Sequence, residues 1–115
     1  MRHVELRVTS RSQGDHVVLA LAGEIDLYTA PKLQSELTSA LAGGKSAHLV
    51  VDMSAVEFCD STGMNVLLAA NRLATERGGD LTLAAPRASV RKILEVTGLA
   101  SVFTIHDDVP AVTGL

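Results

Sequence analysis

Val4 to Thr9 alternates apolar and polar residues with a period of two, the pattern of a strand with one face buried. Ser10 to Asp15 is polar, contains Gly14 and reads as a turn. His16 to Ala22 then reads as a second strand, paired antiparallel with the first in a hairpin. Gly23-Glu24-Ile25-Asp26 ends that strand in a loop. Beyond it the period changes. Leu33, Leu37, Ala40 and Leu41 recur at helical spacing behind Thr29, a favoured helix cap, and Pro31 falls in the first turn, where proline does least harm. Gly43-Gly44 stops this helix.

His48 to Met53 is a compact apolar run, short enough for a strand buried on both faces. A second helix is expected from about Ser61 to Arg77, ending at Gly78-Gly79, and a strand over Leu81 to Ala85. Arg87 to Thr97 reads as a third helix with Val90, Ile93 and Leu94 inward and Gly98 as its stop. Val102 to Ile105 is a last short strand, and Asp108 is placed to cap a final turn containing Val109 and Pro110. The order β-β-α-β-α-β-α-β implies a mixed sheet, parallel where helices intervene, with an antiparallel edge from the first hairpin.

On a wheel at about 100° per residue, Val66, Leu67, Ala70, Leu73 and Ala74 of the second helix share one side, the expected core face. Ser61, Met64, Asn65, Leu68 and Arg72 gather on the opposite side. Met64 and Leu68, one turn apart, would make a short apolar ridge beside Ser61. Such a ridge is either a partner-docking feature or an incidental pair of exposed apolar residues.

Composition narrows the function classes. The 115 residues are read as one domain, 1–115, and the content is 47% hydrophobic but only 3% aromatic, so the core must be aliphatic. Ten basic and 13 acidic residues give a net charge of −3, with the basic ones scattered. That argues against nucleic acid as a partner, which calls for a concentrated basic patch and stacking aromatics. Val17 to Gly23, the longest apolar run, is far short of the roughly 20 residues of a membrane span. The N-terminus has no apolar block suited to a secretion signal, and one cysteine cannot form an internal disulfide. A cytoplasmic, soluble protein is the expectation.

The chemistry concentrates at Asp60-Ser61-Thr62-Gly63, where a buried run meets a helix start. Helix starts carry unpaired N–H groups and a positive dipole end. A hydroxyl there is either a cap or a place where a phosphate can be attached and held. Three consecutive cap-forming residues exceed what capping requires, and Gly63 in the first turn costs of order 0.5–1 kcal/mol relative to alanine. A missing side chain there would let another backbone or a nucleotide phosphate come close. Catalysis by Ser61 is disfavoured, because there is no Gly-x-Ser-x-Gly elbow. His3, His16, His48 and His106 sit on or beside strands, away from any role as its base and at spacings that fit no metal site.

The Asp60-Ser61-Thr62-Gly63 corner, with Gly23-Glu24-Ile25-Asp26 upstream, resembles the anti-anti-sigma factors of the STAS domain family. The resemblance runs from Val4 to about Val109 and includes Tyr28-Thr29-Ala30-Pro31, Leu49-Val50-Val51-Asp52 and Thr97-Gly98-Leu99. It implies an α/β fold of the STAS kind, a mixed four- to five-stranded sheet with about four helices mainly on one side. It also implies a bacterial anti-sigma factor antagonist that is not an enzyme and holds no cofactor or metal. The partner would be an anti-sigma factor that is also a serine kinase; the unphosphorylated antagonist sequesters it and frees a sigma factor for transcription. Phosphorylation of one serine, here Ser61, cancels binding, and a serine phosphatase restores it. Thr62 is the secondary acceptor. Asp26 and Asp60 match acidic partner-surface positions, to which Ser61, Thr62, Gly63, Met64, Asn65, Leu68 and Arg72 are added from the helix.

Two features depart from the family pattern. Gly63-Met64-Asn65 stands where many relatives have Gly-Leu-Gly, so Asn65 puts a side chain on the docking face. Cys59 replaces an apolar or small residue and is expected to pack as a small hydrophobe. The switch needs no refolding, because the helix start tolerates the new charge. The chain is expected to be a monomer when free. The alternative reading is a scaffold or regulatory binding module of the same family, sensing a nucleotide or not, that is independent of phosphorylation.

Overall fold

The computed structural model describes residues 5–42 and 48–109. Five strands and three helices alternate as β1 (Arg7–Gln13), β2 (His16–Ile25), α1 (Ala30–Ala42), β3 (His48–Cys59), α2 (Ser61–Glu76), β4 (Asp80–Ala84), α3 (Ala88–Val96) and β5 (Thr104–His106). A 3-10 turn over Leu99–Ser101 precedes β5. The strands lie in the sheet in chain order, with β1 antiparallel to β2 and every later neighbour parallel. No helix among the described residues is long and apolar enough to cross a membrane.

Alternation of side chains across the sheet sorts the core onto two faces. Leu19 and Leu21 of β2, Leu49, Val51 and Met53 of β3, and Leu81 and Leu83 of β4 face one way. All three helices lie over them, through Leu33, Leu37 and Leu41 of α1, Leu67, Ala70 and Ala74 of α2, and Val90 and Leu94 of α3. At about 1.5–3 kcal/mol for each fully buried aliphatic side chain, this layer is the main source of stability. Val18, Val50 and Ala84 point to the other face and pack with Val109. Helices mainly on one side of a mixed sheet is the architecture expected from the sequence, with three helices and the 3-10 turn where about four helices were expected.

Element boundaries differ where tertiary pairing extends a strand. Polar Ser10, Arg11 and Ser12 belong to β1 and not to a turn, because the edge strand is held by its ladder to β2 and leaves most side chains in water. The turn shrinks to Gly14 and Asp15, with Gly14 at φ +61°, a conformation natural to glycine. Gly23, Glu24 and Ile25 continue β2 instead of forming a loop. The largest difference is in β3, which runs on to Cys59. Its pairing with β2 shifts twice, between Ala20 and Ala22 and between Gly23 and Glu24, so Met53, Val56 and Cys59 reach the core at intervals of three. These bulges break the period of two on which a strand reading depends. β5 begins at Thr104 because Val102 closes the 3-10 turn, half exposed. The Gly43-Gly44 stop, His3, Val4 and Pro110 lie outside the described residues.

Helix α2 is rotated by about 50° from the expected core face, at about 100° per residue. Its buried residues are Gly63, Met64, Leu67, Ala70 and Ala74. Val66 and Leu73, assigned to the core, are half-buried and line the seam against Leu37 and Leu41 of α1. The cause lies at the first turn. A Cβ on Gly63 would collide with Ile25 Cγ2 and lie 2.8 Å from Cys59 Sγ, so glycine lets the helix start press directly onto β2 and β3. That contact rolls Met64 into the core, where it is 2% exposed. The Met64–Leu68 ridge expected beside Ser61 therefore does not exist; Leu68 alone remains, half-buried.

Candidate functional site: two capped helix starts and an exposed serine

The parallel strands β2 and β3 end side by side, and each runs straight into a helix. The Asp60 N–H donates to Ile25 O at 3.0 Å, which ties the two strand ends together. Asp60 is extended, and its Oδ1 accepts from the Gly63 N–H at 3.0 Å, so Asp60 is the N-cap of α2. One strand over, Asp26 does the same for the entry to α1. Its Oδ1 accepts from the N–H groups of Tyr28 (2.9 Å) and Thr29 (3.0 Å), and its carbonyl accepts from Ala30 at 2.9 Å. Thr29, the expected cap, instead braces the turn: its hydroxyl donates to Glu24 O at 3.0 Å and accepts from the Asp26 N–H at 2.9 Å.

The division of labour at the corner separates the two roles left open for its hydroxyls. Asp60 does the capping, and Ser61 is exposed with its hydroxyl bonded to no described residue. Thr62 is half-buried behind it. Further along the same side of α2, Asn65 and Arg72 are exposed and Leu68 is partly so. Asp26, Asp60, Ser61 and Thr62 thus gather where β2 and β3 end, while Asn65, Leu68 and Arg72 continue from Ser61 along one side of α2 toward its far end. Gly63 and Met64 do not join them, since both face inward. Gly63 was expected to admit either another segment of chain or a nucleotide phosphate, and it is the chain that comes close. The close approach it permits is that of Ile25 and Cys59 from within, not that of a nucleotide phosphate from outside.

Three side chains absent from the expected surface flank the corner. Leu27 and Tyr28, in the turn capped by Asp26, are 66% and 67% exposed, and Phe58, near the end of β3, is 45% exposed. With half-buried Leu68 they are the exposed apolar side chains of this region, where the Met64 ridge was expected. The signal for Leu27 and Tyr28 in the sequence was two large apolar residues directly after Asp26, in the turn that leads into α1.

Cys59 has no reactive character. It is buried, its thiol lies 3.7 Å from Asp60 O, and its pKa is pushed up to about 12, first by burial and then by the Asp60 carboxylate. His16 and His48 stand with ring centroids 5.8 Å apart at the starts of β2 and β3, the opposite end of those strands from Ser61. Neither is placed to take a proton from Ser61. Among the described residues no three His, Cys, Asp or Glu side chains are grouped to hold a metal ion.

Residues 7–112 match the STAS domain model. The chain belongs to the STAS domain family. As a STAS domain it is 27% identical over 100 residues to the anti-sigma F factor antagonist of Paenibacillus polymyxa, covering 86% of each chain. It is 33% identical to the anti-sigma-F factor antagonist RsfB of Mycobacterium tuberculosis, covering 95% of this chain and 91% of that one. Among solved structures, an anti-sigma factor antagonist from Mycobacterium paratuberculosis superposes with a TM-score of 0.83 at 27% identity, covering 92% of this STAS domain and 89% of that chain. The five-stranded mixed sheet with helices on one face is the STAS fold expected from the Asp60–Gly63 and Gly23–Asp26 motifs.

Proposed function

We propose that this STAS protein is an anti-sigma factor antagonist, and that Ser61 is its phosphoacceptor. The unphosphorylated form binds an anti-sigma factor that is also a serine kinase, releasing a sigma factor. Phosphorylation of Ser61 ends the binding and a serine phosphatase restores it. The observation that carries this reading is the exposed Ser61 hydroxyl, relieved of any capping duty by Asp60. The names of its relatives point to the same role. On this reading the protein is a cytoplasmic monomer when free and catalyses nothing itself.

The switch follows from charge. A phosphate on Ser61 adds about −1.5 to −2 charge at the start of a 16-residue helix, where the dipole tolerates it. Across an interface the same dianion joins the Asp60 and Asp26 carboxylates against packed partner atoms. Juxtaposed like charges there cost several kcal/mol, which is about a hundredfold or more in affinity. Thr62, half-buried, is the poorer acceptor.

The test is to incubate the protein with ATP and each serine-kinase anti-sigma factor of the host cell. Mass spectrometry should locate phosphate on Ser61, and Ser61→Ala should remain unmodified while still capturing the kinase. Phosphate on another residue, or equal capture of the modified and unmodified forms, would refute the proposal.

A further inference from the structure

On the face of the sheet away from the helices, at the carboxyl ends of β2 and β3, lies an open trough of about 520 Å³. Its floor is Ala22, Gly23 and Ala55, residues too small to fill it. Its walls carry charge. Glu5, Arg7 and Glu57 are exposed and line it. Arg87 closes the far side. Gly23 is required for this shape: it has φ +119°, and a Cβ there would run into the Glu5 carbonyl.

The lining thus bears two carboxylates and two guanidiniums, and none of the four is ion-paired to a described residue. His48–Asp80 and Arg91–Asp107 are ion pairs elsewhere in the molecule. Arg87 is preorganised. Its Nε donates to Ser54 O at 2.9 Å, which fixes the side chain and leaves both terminal nitrogens for another acceptor.

From this geometry we propose that the trough is a binding site for a small zwitterion, with a carboxylate at one end and an ammonium group at the other. The walls sum to no net charge, so an ion of one sign gains at one group and loses at the next. A molecule carrying both signs gains at both. The guanidinium fork of Arg87 suits a carboxylate in bidentate fashion, and Glu5 or Glu57 accepts from the ammonium group. The volume falls within the roughly 300–1,000 Å³ of small-molecule sites. The inference does not rest on the antagonist reading.

The experiment is a titration of the full chain, followed through its backbone amide spectrum, with glycylglycine. Its N-acetyl derivative, an anion, and its C-terminal amide, a cation, are the single-charge counterparts. The amides of Ala22, Gly23 and Ala55 should shift and saturate in the millimolar range with glycylglycine, and about tenfold more weakly with either counterpart. Glu57→Gln and Arg87→Lys should each weaken binding severalfold while the rest of the spectrum stays unchanged, with Arg7→Gln standing in should either variant unfold. Shifts that grow linearly without saturating would overturn the site. So would equal response to a single-charge counterpart, or folded variants that bind as the parent does.

Discussion

Replacing Gly63 by alanine tests which way the corner is built. In an open helix turn the change would stabilise, since alanine exceeds glycine by up to about 1 kcal/mol in helix propensity. Here the new methyl meets Ile25 Cγ2 at collision distance and Cys59 Sγ at 2.8 Å. Ile25 is fully buried, and a β-branched side chain in a strand has no free rotamer into which to retreat. Overpacking of this kind costs about 1–3 kcal/mol, more than the propensity gain, so Gly63→Ala should lose roughly 1–2 kcal/mol. For a chain of 115 residues that corresponds to a fall in Tm of about 4–8 °C. Urea unfolding of parent and variant measures it directly, at constant m-value. Ile25→Ala in the same background should partly relieve the clash, with a coupling of about 0.5–3 kcal/mol, because the vacated space receives the Gly63→Ala methyl. A variant as stable as the parent, or more so, would refute the inward packing and restore an outward-facing Gly63.

Ser61→Asp should weaken capture of the kinase by about tenfold or more in a pull-down or calorimetric titration, leaving amide shifts outside the first turn of α2 unchanged. Tyr28→Ala and Phe58→Ala should each cost more than about 1 kcal/mol in partner affinity while changing Tm little, since both side chains are exposed in the free protein. Met64→Ala should do the reverse, losing about 2–5 kcal/mol of stability by opening a cavity, as read by chemical denaturation. Cys59, held neutral in the fold with its pKa at about 12 against 9.0 when unfolded, makes a contribution that is present below pH 9.0 and lost as pH rises toward 12. Stability of the parent should therefore fall more steeply between those limits than that of Cys59→Ala, and parallel slopes would contradict it.

Local periodicity carried much of the architecture. The recurrence of Leu33, Leu37 and Leu41 marks α1, the compact run from His48 marks β3, and Gly98 at φ +80° marks the end of α3, because each depends on near neighbours in the chain. Asp60 and the serine at the head of α2 were legible for the same reason: a helix start is satisfied by residues within one turn. What local pattern could not decide was any quantity set by contact between distant segments. The bulges of β3 come from its pairing with β2. The burial of Met64 comes from Ile25 and Cys59 pressing on Gly63. Which acid caps, and therefore which hydroxyl is left to solvent, was settled by backbone direction at the strand ends. The apolar rim of Leu27, Tyr28 and Phe58, and the trough that gathers Glu5, Arg7, Glu57 and Arg87, exist only once parallel strands bring remote residues together. Sequence spacing specifies which residues share an element's face; the rotation of that face, and what meets it, is fixed by packing.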